Sequence, residues 1–144
     1  MPSRDQKLGP CPCGRPDAKG RPLPYERCCG RYLDNFDVAP APDAESLMRS
    51  RYSAFVLENE AYLLATWHAS ERPPRIDFEP GARWLGLDVR SHTRQDETHA
   101  QVEFVARMRD AGGRANRLHE KSRFVQEADS AGILRWYYVD AAGG

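Results

Sequence analysis

From residue 44 onward the apolar positions follow two periods in succession. Ala44, Leu47, Met48, Tyr52, Phe55 and Val56 recur every three or four residues, which predicts an amphipathic helix with Asp43 as its N-cap. After Glu58-Asn59-Glu60, Tyr62, Leu63 and Trp67 share one side of a second, shorter helix limited by Pro73-Pro74. His68 falls at its end, where the helix dipole favours a charged imidazole. The period then shortens to two. Trp84, Leu85, Leu87 and Val89 form a run that fades into Gln95-Asp96-Glu97, and Val102, Phe104, Ala106 and Met108 alternate with Glu103, Val105, Arg107 and Arg109. Gly112-Gly113 predicts a hairpin turn, and runs over Leu118–Val125 and Ile133–Val139 flank a polar loop at Asp129-Ser130-Ala131-Gly132. Two helices followed by a four-stranded antiparallel meander is an α+β arrangement, with the helices laid on one face of a curved sheet.

The first 33 residues show neither period. They hold every cysteine of the chain: Cys11, Cys13, Cys28 and Cys29, interspersed with glycine, proline and basic residues. Four clustered thiols are what a tetrahedral thiolate site needs, and a short loop-rich segment can wrap one ion without a core of its own. Residues 34–43 (DNFDVAPAPD) have two prolines and three aspartates and predict a short extended linker. The expected organisation is therefore a cysteine knuckle over 1–33, a linker over 34–43 and an α+β domain over 44–144.

Two disulfides are the competing reading of four cysteines. Met1 to Pro10 is polar, with Arg4, Asp5 and Lys7 and no apolar core of a signal peptide, and no stretch is long and apolar enough to cross a membrane. The expectation is a cytoplasmic protein with no membrane association. In a reducing compartment clustered cysteines serve metal or redox chemistry more often than cross-links. Zn²⁺ is the expected ion and iron is the alternative, since four thiolates suit either. The spacing lacks the ferredoxin pattern of an iron–sulfur cluster.

Charge separates the two parts. Met1 to Leu33 carries seven Lys/Arg against three acids, and because the whole chain is formally neutral the remainder is net acidic. Four thiolates around a divalent cation remove two of those positive charges. The surplus either keeps the segment soluble or docks it on an acidic protein surface or an RNA phosphate backbone. Apart from Tyr25 and Tyr32 no aromatic is placed to stack bases, and no sequence-specific DNA binding is expected.

One strand breaks the alternation. Leu118, Glu120, Ser122 and Phe124 share one face and His119, Lys121, Arg123 and Val125 the other, so neither face is cleanly apolar. Polar groups on a sheet face covered by helices must be paired or must line a cavity. Arg49 and Arg51 are candidate partners for Glu120. Either a buried ion pair or solvated face accounts for these residues, or a ligand pocket opens at the end of the sheet with His119, Glu120 or Arg123 as its polar groups.

Cys11-Pro12-Cys13-Gly14 and Tyr25-Glu26-Arg27-Cys28-Cys29-Gly30 resemble the SEC-C motif, the small metal knuckle at the tail of the SecA translocation motor. The intervening loop, with Pro16, Pro22 and Pro24, is longer than the usual spacing. Gly14 and Gly30 are expected at positive φ where the chain turns around the ion, with backbone amides donating to the sulfurs. The segments LMRSRYSAFV (47–56), YLLATWH (62–68), WLGL (84–87), VEFVAR (102–107), EKSRF (120–124) and RWYYVD (135–140) complete a resemblance to the bacterial YchJ family. That resemblance covers nearly the whole chain. It implies a nuclear-transport-factor-like, cystatin-like cone behind the knuckle, a fold whose members often form homodimers through the sheet.

Two function classes follow. The leading one is a metal-binding adaptor whose knuckle docks on a protein or ribonucleoprotein partner while the cone binds a ligand or a second copy. The alternative is a small pocket enzyme, isomerase-like or hydrolase-like, with Tyr52, Trp67, His119, Glu120 and Arg123 as pocket candidates. The sequence contains no paired-carboxylate spacing, nucleophile elbow or phosphate loop.

Overall fold

The computed structural model describes residues 9–141. Arg4, Asp5 and Lys7 of the basic segment lie outside them. A 3₁₀ turn, Tyr25–Arg27, leads into a single helical turn, α1 (Gly30–Leu33). Helix α2 spans Ala44–Val56 and α3 spans Glu60–Ala65. Four strands follow: β1 (Arg83–Arg94), β2 (His99–Arg109), β3 (Ala115–Ala128) and β4 (Leu134–Ala141). They form one antiparallel sheet in the order β1-β2-β3-β4, the expected meander. Register shifts at Trp84/Gly86 and Val89/Ser91 leave extra residues in β1, and the shift between the Arg123–Asp140 and Phe124–Tyr138 pairs leaves Val139 extra in β4; these are bulges. Bulges raise the local twist and bend a sheet, here making a concave face that α2 covers.

Helix α2 starts where its sequence says it should, because the Asp43 carboxylate accepts the Ser46 N–H at 2.7 Å. Its end is less usual. Glu58 takes φ 54, the left-handed position that normally selects glycine. The Glu58 N–H donates to Phe55 O and the Asn59 N–H to Ala54 O, the paired bonds of a Schellman stop. Asn59 then caps α3 by accepting the Tyr62 N–H at 3.1 Å. Two helices are thus joined by a three-residue turn, which folds Leu63, fully buried, against the core of α2. Burial of a leucine side chain contributes about 1.5–3 kcal/mol.

The second helix is shorter than its apolar spacing predicts. It stops at Ala65, and Trp67 and His68 lie beyond it. The buried Arg51 guanidinium donates through Nη1 to Leu63 O (2.8 Å) and Thr66 Oγ1 (2.7 Å), satisfying the end of the helix at that point. The chain then runs beside β4: His68 N–H donates to Tyr138 O and Tyr138 N–H to Thr66 O, with Trp67 and Tyr138 bridged in parallel. The open edge of the sheet captures this segment, and His68 Nε2 meets Glu127 Oε2 at 2.9 Å instead of a helix terminus.

The stretch 34–43 does not hold two bodies apart. Phe36 packs edge-on against Tyr62 and under the Arg135 guanidinium, 4.1 Å from its ring, while Ala41 is buried. One continuous hydrophobic cluster contains Cys11, Cys13, Cys28 and Cys29, Leu47 and Tyr52 of α2, and Phe104, Phe124 and Trp136 of the sheet.

Candidate metal centre and cone cavity

The N-terminal loop is a small ribbon closed by prolines. Pro10 pairs with Pro24 and Pro16 with Pro22, while Cys11 N–H donates to Leu23 O and Leu23 N–H to Arg15 O. At its tip the Asp17 carboxylate accepts the Lys19 and Arg21 N–H groups. The added loop length therefore makes an ordered hairpin and returns Tyr25 beside the first cysteines. Gly14 has φ 73, as the turn after Cys13 requires. Gly30 does not: it opens α1 in helical conformation. What excludes a side chain there is the Tyr25 ring, since a Cβ on Gly30 would lie 2.8 Å from both Cε2 and the carbonyl O of Tyr25.

These constraints bring Cys11, Cys13, Cys28 and Cys29 together with all four sulfurs within 4.8 Å of one another. All four are buried and none is cross-linked; the Cys13 and Cys28 sulfurs are 3.6 Å apart. A tetrahedral ion with bonds of about 2.3 Å to sulfur needs its ligands about 3.8 Å apart, so the donor set suits one ion. An iron–sulfur cluster inserts several atoms between its thiolates and needs wider spacing. The sulfur set shapes its own ionisation. Sulfur–sulfur hydrogen bonds lower the Cys11 thiol, from Cys13 first and then Cys28 and Cys29. Cys13 is also lowered: sharing with Cys11 opposes this, but donation from Cys28 and Cys29 prevails. Cys28 and Cys29 are pushed up, first by Cys11 and then by Cys13.

Helix α2 forms the floor of the centre. Ser46, Ser50 and Ser53, all buried, form a stripe of small residues that lets the cysteine loop approach. Cys11 Sγ lies 3.5 Å from Ser53 Oγ, and Arg15 Nη1 donates to Ser46 Oγ at 3.0 Å. Arg49 Nη1 donates to Cys13 O at 3.2 Å and Arg49 Nε to Glu45 Oε2 at 2.8 Å. Burial opposes the charge on Arg49, but the Glu45 carboxylate and the Cys13 thiolate outweigh it and its pKa rises. Among the described residues the sulfurs receive no backbone N–H bond; the hydroxyl of Ser53 takes the place of the expected amides.

A second feature lies between α2 and the concave sheet face: a cavity of about 340 Å³. Met48, Phe55, Trp84, Phe104 and Phe124 supply apolar wall, with Tyr52, Trp67, Glu120, Ser122 and Tyr138 also lining it. Of the five pocket candidates, Tyr52, Trp67 and Glu120 meet here. His119 and Arg123 do not, because neighbours along a strand face opposite ways. His119 Nε2 contacts Glu103 Oε2 at 2.6 Å, and Arg123 forms a two-bond pair with Asp140, on the convex side. Neither Arg49 nor Arg51 forms an ion pair with Glu120 among the described residues. Glu120 Oε2 instead accepts from Ser122 Oγ (2.5 Å) and Tyr138 OH (3.4 Å). Burial pushes the Tyr52 hydroxyl up to about 12, and burial together with Glu120 does the same to Tyr138.

Sequence reasoning passed over Arg51 as a lining group, although its position four residues after Leu47 places it on the buried stripe of α2. It is 6% exposed and lines the cavity. The rings of Tyr138 (4.7 Å) and Trp67 (5.0 Å) lie against its guanidinium.

Comparison with known proteins places these features in a family context. A model of the YchJ middle NTF2-like domain matches residues 43–141. A UPF0225 protein of Polaromonas sp. (strain JS666 / ATCC BAA-500) is 66% identical over 130 residues, covering 90% of each chain. A UPF0225 protein of Bordetella pertussis is 56% identical over 133 residues, again covering 90% of each. Among solved structures, a SEC-C motif-containing protein from Psychrobacter arcticus aligns with TM-score 0.78 and 35% identity over 93% of this chain and 82% of that one. A SEC-C motif-containing protein from Rhodopseudomonas palustris aligns at 0.72 and 30%, over 94% and 98%.

Proposed function

This chain belongs to the YchJ family, and from that premise we propose that it is a zinc-bearing cytoplasmic adaptor, docking on an acidic protein or ribonucleoprotein partner through the cysteine loop while the cone holds a small ligand. The observation that carries the reading is the make-up of the loop: inward thiols and outward cations. Lys19, Arg21, Arg27 and Arg31 are exposed around the buried sulfurs. Four close thiolates favour Zn²⁺, whose binding energy would go into holding the loop. Reduced, unlinked cysteines agree with a reducing compartment, and no helix among the described residues is long and apolar enough to cross a membrane.

The cavity favours binding over turnover. The carboxylate in it, Glu120, has hydroxyl neighbours, while His119 and Arg123 lie on the other face. The test has two stages. Elemental analysis of protein purified without chelator is expected to find one zinc per chain, lost in Cys11→Ser/Cys28→Ser. Partners captured by the loaded protein are then compared with those of Lys19→Glu/Arg21→Glu/Arg27→Glu, which leaves the thiols and cone intact. Loss of a specific acidic partner is the expected result. Absence of stoichiometric metal, or capture indifferent to charge reversal, would refute the adaptor reading.

A further inference from the structure

The cavity and its buried cation fit poorly as mere core. Protein interiors are close-packed, and an apolar void of roughly 150 Å³ is already enough to bind benzene. This one is about 340 Å³, within the roughly 300–1,000 Å³ span of small-molecule sites. Into it faces Arg51, 94% buried by its 6% exposure. Its Nη1 alone is hydrogen-bonded among the described residues, to Leu63 O and Thr66 Oγ1. Among the described residues the other guanidinium nitrogens have no bonded acceptor, and no carboxylate pairs with the group. Burial lowers its pKa to about 10, so it remains a cation at neutral pH. Taking a charge out of water is unfavourable unless a counter-charge and hydrogen bonds replace the lost solvation. The ring faces of Tyr138 and Trp67 supply part of that.

Glu120 acts on Arg51 only across the cavity. It is half-buried, one position along the same strand face from the exposed Leu118, with Oε2 occupied by Ser122 and Tyr138. What the site lacks is an acceptor with two oxygens for the free edge of the guanidinium, joined to an apolar body for Phe104, Trp84 and Met48.

We infer that the cone cavity binds a small monocarboxylate with an aromatic or branched apolar body, its carboxylate seated on Arg51. The inference rests on the ligand-binding part of the proposed function and gives it a chemical class. Guanidinium and carboxylate match as a two-bond fork, which a neutral amide cannot reproduce. Glu120 sets the selectivity at the other end, since its charge disfavours a second acid group and limits affinity for the first.

The metal-loaded full chain is titrated calorimetrically with three probes of one shape: 3-phenylpropionate, 3-phenylpropanamide and 3-phenylpropylamine. Displacement of the Trp67 indole N–H resonance locates the binding. The carboxylate is expected to bind at least tenfold tighter than the amide, and the amine weakest. Glu120→Gln, which keeps the shape of the wall, should tighten the carboxylate several-fold and weaken the amine. Arg51→Lys keeps the charge but loses the fork, and should cost the carboxylate about tenfold. Equal or preferential binding of amide or amine would overturn the carboxylate assignment and leave a ligand-binding cone standing. No binding of any probe would overturn both, without touching the metal centre.

Discussion

Replacing Gly30 by alanine puts opposite physical effects in competition, and the structure says which prevails. In a helix alanine is favoured over glycine by about 0.5–1 kcal/mol, so local propensity expects stabilisation. The added Cβ would lie 2.8 Å from Tyr25 Cε2, 2.8 Å from Tyr25 O and 2.9 Å from Tyr25 Cδ2. Ring rotation cannot relieve a clash with a carbonyl oxygen. Tyr25 is 1% exposed, so the residue has no free space to enter. Its carbonyl also accepts the Cys28 N–H at 3.0 Å, so displacing it moves a thiol of the candidate metal centre. Overpacking of this kind costs about 1–3 kcal/mol, leaving a net loss between zero and about 2.5 kcal/mol, centred on about 1.3 kcal/mol, after the helix gain. That corresponds to about a tenfold loss of metal affinity if the strain is felt in the loaded state, and to a fall in Tm of roughly 3–6 °C. The assay is zinc competition against a chromophoric chelator together with thermal unfolding. Gly14→Ala is the comparison: nothing lies within 4 Å of its Cβ, and its only penalty is φ 73. Unchanged or improved Tm and metal affinity in Gly30→Ala would refute the close-approach argument.

Metal uptake should depend steeply on pH. Cys28 and Cys29 are pushed up and keep their protons in the metal-free centre, so binding should release at least those two protons near neutrality. The loaded form then holds fewer protons than the free one; raising pH favours it, and acidification strips the ion and its stabilisation. Calorimetry in buffers of different ionisation enthalpy counts those protons, and a count near zero would contradict the raised Cys28 and Cys29 thiols. Glu58→Gly should stabilise the chain by about 0.5–1 kcal/mol, because relief of left-handed strain of roughly 1–2 kcal/mol exceeds the entropy glycine adds to the unfolded state. A lower denaturant midpoint would mean that the Glu58 side chain contributes something its exposure conceals.

Much of the architecture is local and therefore legible in the chain itself. The Asp43 cap, the 3.6-residue stripe of α2, the period-two runs and the turn at Gly112-Gly113 each involve neighbours in sequence, and each has a matching element. The four thiols were legible too, because ligand identity is a matter of residue type. The departures arise from contacts that no helix or strand period encodes. The second helix ends early because Arg51, 12 residues before Leu63, takes its carbonyl, and because β4 offers an edge to residues 66–68. Gly30 is required by a ring five residues back, not by φ.

The candidate site divides the same way. Alternation along β3 was enough to separate Glu120 from His119 and Arg123, since strand geometry sends neighbours to opposite faces. It could not say which face is concave, or that the bulges in β1 and β4 would bend the sheet and leave a cavity beneath α2. Nor could it say that Ser46, Ser50 and Ser53 would let the cysteine loop settle onto the same helix that forms the cavity wall. The sequence by itself determined the four clustered thiols of the candidate metal centre and the order of the strands, because residue chemistry and short-range sterics decide both. Only the tertiary structure decided that the metal loop and the cone share one core through α2, and that a buried arginine faces an open cavity, because packing between distant segments decides where charge is left without water.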